Sequence, residues 1–214
     1  HLTNSASDRS NAPQDSYDLR SEYQRATLDR RHVLTINYTY DLPFFAKRRD
    51  LVGQTLGGWQ VAGITVFNTG LPFTAVTSSL DYAGLGLINA NPTARPNLKC
   101  DPNAGAPNTF QQWFNTSCFQ TNPLNSDVGL PNTPGTSGRG IINGPPTTRF
   151  DFTMKKEFRI RESLKFQLRA EVFNIFNHTN FRGFASLNVT SALFGSIGTV
   201  RDPRTMQLAA KLNF

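Results

Sequence analysis

Few residues of this 214-residue sequence have the types and spacing that chemistry needs. The three histidines, His1, His32 and His178, are widely separated, and no zinc-ligand, P-loop or G-x-S-x-G pattern occurs. His32 alternates with strand residues, and His178 follows a Phe-Asn-Ile-Phe-Asn run, so structural roles are favoured for both. We therefore expect no enzymatic activity, no cofactor and no metal site.

The two cysteines are the other reactive side chains. Cys100 and Cys118 lie in one long polar segment and fit a single disulfide in an oxidising compartment. Two free thiols are the alternative. A Cys–His dyad would need one free cysteine close to His178, and nothing in the spacing favours it.

Charged side chains recur at alternate positions in two consecutive segments, 148–160 and 164–175. If these segments were strands of a membrane β-barrel, a Lys or Arg facing lipid at the bilayer centre would cost about 2–4 kcal/mol. Such a series of charges would therefore face the water-filled lumen of the barrel. We expect Glu157 or Glu171 to contact a basic residue on the adjacent strand. Solvation and register fixing are favoured over a direct contribution to a substrate path. The predicted lumen-facing residues are Asp151, Lys155, Glu157, Arg169 and Glu171.

Five segments have the period-two alternation of strands with one apolar and one polar face. The last of them, 205–214, is the clearest, because every second residue from Met206 is apolar and the chain stops on Phe214. A final aromatic on the apolar face is typical of outer-membrane β-barrels. The predicted fold class is therefore all-β, an antiparallel transmembrane β-barrel segment. The predicted strands are about 31–42, 59–68, 148–160, 164–175 and 205–214.

The connections between these strands alternate in length. Residues 43–56 and 161–163 are short connections, whereas 70–146 and 176–203 are long and irregular. Short periplasmic turns and long extracellular loops are typical of outer-membrane barrels. The C-terminus then lies at the periplasmic rim, and the chain starts within an extracellular loop, which indicates part of a larger barrel. A short helix is expected at 109–119.

Composition is compatible with this reading. The mean hydropathy of −0.39 reflects alternation, because half of each barrel strand is polar. The net charge of +7 raises the question of nucleic-acid binding, but the basic residues are spread thinly. The densest cluster, Lys47-Arg48-Arg49, lies in a turn-like segment, so no nucleic-acid partner is expected. The polar N-terminus carries no signal peptide, which indicates a mature or truncated chain.

A soluble, carbohydrate-binding β-sandwich is the rival interpretation. Tyr38, Phe150, Phe152, Phe158 and Phe166 would then form a core against a second sheet. Sandwich strands recur about every 8–12 residues, so the long connections argue against this fold.

Several short motifs follow one another along residues 29–214. The most specific is Arg169-Ala170-Glu171-Val172-Phe173-Asn174-Ile175-Phe176-Asn177-His178-Thr179-Asn180-Phe181. Others are Asp29-Arg30-Arg31-His32-Val33, Tyr40-Asp41-Leu42-Pro43-Phe44, Gly57-Gly58-Trp59-Gln60 and Thr69-Gly70-Leu71-Pro72-Phe73-Thr74. Trp113-Phe114-Asn115-Thr116, Gly138-Arg139, Asn143-Gly144-Pro145, Phe194-Gly195 and Asp202-Pro203-Arg204 complete the set. With these motifs the chain resembles the C-terminal barrel portion of TonB-dependent outer-membrane receptors of the Oar-like group.

The resemblance implies a 22-stranded barrel with an N-terminal plug that contacts the TonB complex, and energised uptake of a siderophore, oligosaccharide or peptide. The plug and the TonB box are missing from this sequence. Lipid of the outer membrane and the outer-membrane assembly machinery are the other implied partners. A non-energised porin or an adhesion receptor is the alternative function. The residues that match the family's C-terminal assembly signature are Met206, Leu208, Leu212 and Phe214.

Overall fold

The computed structural model describes residues 13–15, 17–45, 48, 50–77, 94–120, 134–161 and 164–214. Two compact units are formed: a sheet unit (32–68, 147–180 and 201–214) and a loop unit (1–31, 69–146 and 181–200). In these residues the helices are α1 (Leu51–Leu56) and two 3-10 turns, Leu19–Glu22 and Thr116–Cys118. The strands are β1 (Val33–Asp41), β2 (Trp59–Asn68), β3 (Pro72–Phe73), β4 (Asn97–Leu98), β5 (Phe119–Gln120), β6 (Ile142–Asn143), β7 (Thr147–Arg159), β8 (Lys165–Phe173), β9 (Phe181–Phe184), β10 (Ile197–Val200) and β11 (Thr205–Asn213).

The sheet unit contains one five-stranded sheet in the order β1-β2-β7-β8-β11. Every neighbouring pair is antiparallel, so the prediction of an all-β, antiparallel fold is confirmed. Each strand predicted from alternation overlaps one of these five. In the described residues the sheet is open, with β1 and β11 at its edges, and it does not close into a barrel.

β8 ends two residues earlier than alternation predicts, at Phe173 rather than Ile175. Asn174 adopts a left-handed backbone conformation (φ 53°), which asparagine tolerates better than most residues. Its side chain accepts a hydrogen bond from the His178 backbone N–H at 2.9 Å and donates one to the His178 carbonyl at 3.0 Å. The Asn-rich run is therefore a tight turn that stops the strand.

The short connection between β1 and β2 contains α1, which sequence analysis did not predict. The Asp50 side chain caps this helix by accepting a hydrogen bond from the Gly53 N–H at 3.0 Å. The other short connection, between β7 and β8, is closed by backbone hydrogen bonds between Arg161 and Leu164. Residues 162–163 of the predicted turn lie outside the described residues.

The long connections are more ordered than the sequence predicts. In the described part of 70–146, β3 pairs with β6 and β4 pairs with β5. Within 176–203, β9 pairs with β10. The prediction of irregular structure is wrong there, because strands of two to four residues are too short to show alternation. The predicted helix at 109–119 is also wrong, since only Thr116–Cys118 is helical, as a 3-10 turn.

The loop unit has its own hydrophobic core. Phe114 lies at its centre and makes edge-on ring contacts with Phe119, Phe184 and Phe194, at centroid distances of 5.3–5.7 Å. Edge-to-face aromatic pairs add about 0.5–1.5 kcal/mol each beyond the area they bury. The other buried residues of this core are Ala75, Cys118 and Ile142.

Candidate functional site on the two faces of the sheet

One face of the five-stranded sheet is apolar on every strand. The register aligns Tyr38, Gly63, Phe152 and Val172 in one row across four strands. Met206 on β11 extends this row opposite Val172. A Cβ at Gly63 would lie 2.3 Å from Tyr38 Oη, so the Tyr38 ring covers this glycine. The apolar face is therefore continuous across β1, β2, β7, β8 and β11.

The three strand residues of the C-terminal signature belong to this apolar face. Met206, Leu208 and Leu212 stand opposite Val172, Ala170 and Phe166 of β8. Their side chains are exposed, Leu208 to 87%. Phe214 follows the end of β11 and is also exposed.

The opposite face carries the five residues predicted to line a lumen. In the register of β7 and β8, Lys155 is opposite Arg169, and Glu157 is opposite Gln167. Glu171 is opposite Thr153 on one side and Gln207 on the other. Asp151 lies on the same face of β7, two residues before Thr153. The structure therefore brings Asp151, Lys155, Glu157, Arg169 and Glu171 together on one face.

The partners of the two glutamates differ from the prediction. Gln167 Nε2 donates to Glu157 Oε1 at 3.3 Å, and the Gln207 side-chain amide donates to Glu171. The basic partner of Glu171 is Arg169 on its own strand, at 3.3 Å. The expected contact with a basic residue on an adjacent strand is therefore wrong, because the register places amides, not cations, opposite both carboxylates.

Asp151 has a positioning role at the end of the polar face. Its Oδ1 pairs with Arg149 Nε at 2.7 Å and accepts the Asn174 backbone N–H at 2.9 Å. This carboxylate therefore ties β7 to the tight turn that follows β8.

Lys156 is the one charged residue among the apolar-face positions of β7. Its side chain is only 1% exposed. Its ammonium donates to the Thr55 carbonyl at 2.9 Å and to the Gly57 carbonyl, both at the C-terminal end of α1. The nitrogen also lies 5.3 Å from the Trp59 ring centroid and 4.9 Å from that of Phe158. The carbonyls at the helix end and the two aromatic rings thus stabilise an ammonium group that has no polar partner on the apolar face itself.

The loop unit carries the disulfide that the sequence raised as one of two possibilities. Cys100 and Cys118 are joined, with their Cα atoms 4.9 Å apart. Cys118 is buried in the aromatic core, so the bond links this core to the segment that precedes it.

A buried charge cluster in the loop unit was missed by sequence analysis. Glu22 Oε1 lies 2.7 Å from Arg95 Nη1, and its other oxygen pairs with Arg139. Burial by itself raises the pKa of Glu22, but a hydrogen bond from the Gln14 backbone N–H and the two guanidinium groups outweigh it and hold this pKa below its usual value. Burial lowers the pKa of Arg95 in turn. Sequence patterns are local, so they could not indicate that Glu22, Arg95 and Arg139 come together.

The described residues contain no group of three His, Cys, Asp or Glu side chains placed to hold a metal ion. No helix in the described part of the chain has the length and apolar character needed to span a membrane.

Comparison with known proteins agrees with the two-faced antiparallel sheet. A family model described as "Outer membrane beta barrel domain" matches residues 1–207. No curated protein and no solved structure matches the chain. The family match places the protein in the outer membrane, in association with its lipid bilayer. The chain belongs to the outer membrane beta barrel domain family.

Proposed function

We propose that this protein is a TonB-dependent outer-membrane receptor of the Oar-like group, which imports a substrate through a 22-stranded barrel and catalyses no reaction. The observation that carries the proposal is the sheet with one continuous apolar face and one charged face. Such a sheet suits a wall with lipid on one side and water on the other.

The free-energy cost of placing charged side chains in lipid assigns the two faces. Lys155 and Arg169 would each cost about 2–4 kcal/mol if they faced lipid at the bilayer midplane. Leu208 and Met206 are exposed in the chain. Burial against acyl chains removes the free-energy cost of exposing their apolar side chains to water. The charged face therefore lines the lumen, and the apolar face contacts lipid.

The order of the strands assigns the two rims. β11 runs from the long-connection rim to the short-connection rim, where the chain ends at Phe214. With short turns on the periplasmic side, the long connections 70–146 and 176–203 are extracellular, and a substrate meets them first. The assembly machinery recognises Met206, Leu208, Leu212 and Phe214 on the periplasmic side, and TonB acts through a plug encoded ahead of residue 1.

A second function, a non-energised porin or adhesion receptor, is favoured by the folded loop unit. A disulfide and an aromatic core make this part of the chain a rigid surface suited to binding a partner. The soluble carbohydrate-binding sandwich is not consistent with membership of an outer-membrane family.

Electrical conductance of the complete protein in planar bilayers separates the energised receptor from the porin. A plugged, TonB-dependent barrel gives no steady ion current. An open porin gives a stable conductance and would reject the first function. The sequence encoded ahead of residue 1 is the second measurement, because energised transport requires a plug and a TonB box there.

A further inference from the structure

The charged face of the sheet carries two pairs of cations that stand opposite each other across β7 and β8. Arg159 is opposite Lys165, and this pair lies nearer the short β7–β8 connection than the pair of Lys155 and Arg169. Like charges directly opposite are destabilising. Both pairs therefore lower the stability of the sheet, unless an anion lies beside them.

The described carboxylates leave the pair at the end of the strands without an ion-pair partner. Neither Arg159 nor Lys165 is within salt-bridge distance of an acidic side chain in the described residues. Glu157 lies on the same face of β7, but its Oε1 accepts a hydrogen bond from Gln167 at 3.3 Å. Arg161, two residues beyond Arg159, also has no acidic partner in this part of the chain. These three cations are therefore available to an anion from outside the chain.

The three cations line one pocket. Arg159, Arg161 and Lys165, together with Ile160, surround an open volume of about 480 Å³ at the β7–β8 turn. This volume is within the range of roughly 300–1,000 Å³ that is common for ligand sites. The backbone N–H groups of Ile160 and Arg161 donate to the Leu164 carbonyl at 2.9 and 3.1 Å. The wall of the pocket is therefore fixed by backbone hydrogen bonds.

The surroundings of the pocket are also polar and basic. Lys211 and Asn213 lie on the same face of β11, and Asn213 stands opposite Lys165. An asparagine amide supplies two further N–H donors. By sequence, residues 159–165 carry three cations and one carboxylate, Glu162, which leaves an excess of two positive charges. The composition of the site therefore favours an anion with more than one negative charge.

We propose that this pocket, on the charged face at the short-connection rim, binds a multivalent oxyanion. Its phosphate or carboxylate oxygens accept hydrogen bonds from Arg159, Arg161 and Lys165. A guanidinium group matches such oxygens with paired N–H donors, and an ammonium group adds a compact charge. The proposal rests on the lumen assignment made under the proposed function, and it adds a class of substrate, because an anion bound on the lumen wall is a transported molecule or a part of one.

Binding is tested with pyrophosphate and with citrate on the complete protein in detergent, with ionic strength held constant by sodium chloride. Calorimetric titration gives the Kd, and thermal unfolding gives the shift in Tm. We expect at least one of the two anions to bind and to raise the Tm, because a ligand of the folded state stabilises it. Comparison of the two anions separates phosphate from carboxylate recognition.

Charge variants test the site. Arg159→Gln with Lys165→Gln should weaken binding by about tenfold or more, because two charged donors are lost. Without an anion, this pocket variant should be at least as stable as the parent, since a like-charge pair is removed. The matched control is Arg31→Gln with Arg201→Gln, which removes two exposed cations outside the pocket and should leave the Kd unchanged.

The face assignment is measured separately in vesicles. A fluorescent noncanonical residue replaces either Leu208 on the apolar face or Thr153 on the charged face. Spin-labelled phospholipid should quench the probe at position 208 and leave the probe at position 153 unquenched.

Three outcomes would overturn the proposal. Failure of both anions to bind, or equal weakening by the pocket and control variants, would reject the site and leave a lipid-quenched probe at position 208 as support for the face assignment. A parent that binds neither anion, with a pocket variant less stable than the parent, would show that an acidic segment of the protein itself, such as a plug, occupies the cations. Quenching at position 153 and not at position 208 would reject the face assignment and the lumen site together.

Discussion

Lys155 on β7 stands directly opposite Arg169 on β8, so two cations face each other across neighbouring strands. Like charges directly opposite are destabilising, whereas opposite charges contribute roughly 0.2–1 kcal/mol. The sheet therefore tolerates repulsion at a position where a carboxylate would pair better. Such an arrangement is compatible with a water-filled surface that has a role other than stability.

Replacing Lys155 by glutamate should stabilise the sheet unit. The new carboxylate would face Arg169, and we expect the free energy of unfolding in detergent to rise by about 0.5–1 kcal/mol. Lys211→Glu is the matched control, because Lys211 stands opposite Gln167 and not a cation. Urea titration followed by tryptophan fluorescence gives both values, and an equal effect of the two substitutions would contradict the cross-strand origin.

Removing the disulfide should loosen the loop unit and leave the sheet unit folded. The bond closes a loop of 18 residues between Cys100 and Cys118. Chain-entropy arguments give about 3 kcal/mol for a loop of this size. The variant Cys100→Ala with Cys118→Ala should be cleaved by protease within 94–120 much faster than the parent. Equal cleavage rates of parent and variant would show that the aromatic core suffices without the bond.

Glu22→Gln should strongly destabilise the loop unit at neutral pH. Arg95 is 2% exposed and would lose its carboxylate, and breaking a buried pair costs about 3–5 kcal/mol. Asp29→Asn is the control, because its pair with Arg25 at 2.9 Å is more exposed and should contribute at most about 1 kcal/mol. Thermal unfolding measures both variants, and similar losses would contradict the importance of burial.

The Glu22 carboxylate should also make the stability of the fold depend on pH. Because the folded pKa of Glu22 is below its ordinary value of 4.5, the ionised group stabilises the fold above that value. This stabilisation is lost as the pH falls through the lowered folded pKa. The parent should therefore lose more stability than Glu22→Gln when it is acidified, and parallel decline of both proteins would assign the acid sensitivity to other groups.

Lys156→Met should remove the hydrogen bonds that attach the C-terminal end of α1 to the sheet. Without the ammonium, the carbonyls of Thr55 and Gly57 lose a buried partner, which costs about 1–3 kcal/mol. Amide hydrogen exchange of residues 53–57 should accelerate. Lys155→Met, one residue earlier and on the other face, should leave this exchange unchanged, and acceleration in both variants would indicate a general loss of sheet stability.

The sheet was predictable because its strands are long enough to show alternation. Nine residues of β11 repeat one pattern, and the apolar partners of Met206, Leu208 and Leu212 on β8 follow from the same period. The ends of strands were less predictable, because Asn174 stops β8 through its backbone conformation and side-chain hydrogen bonds.

Apart from its cysteine pair, the loop unit was not predictable, because its order comes from contacts between distant positions. The carboxylate of Glu22 finds Arg95 and Arg139 only after the chain has folded, and β3 has only two residues. Lys156 was visible as an exception to alternation, but its partners belong to a helix that the sequence did not indicate.

The return of the chain from the loop unit bears on the order of folding. Asn68 and Thr147 pair at the end of the β2–β7 ladder, although the whole of 69–146 lies between them. The Gly144 N–H donates to the Leu71 carbonyl at 2.8 Å, and Pro72 pairs with Asn143, so the two ends of this excursion are held together within the loop unit itself. A loop unit that folds first shortens the effective separation of β2 and β7, and lowers the entropy cost of their pairing.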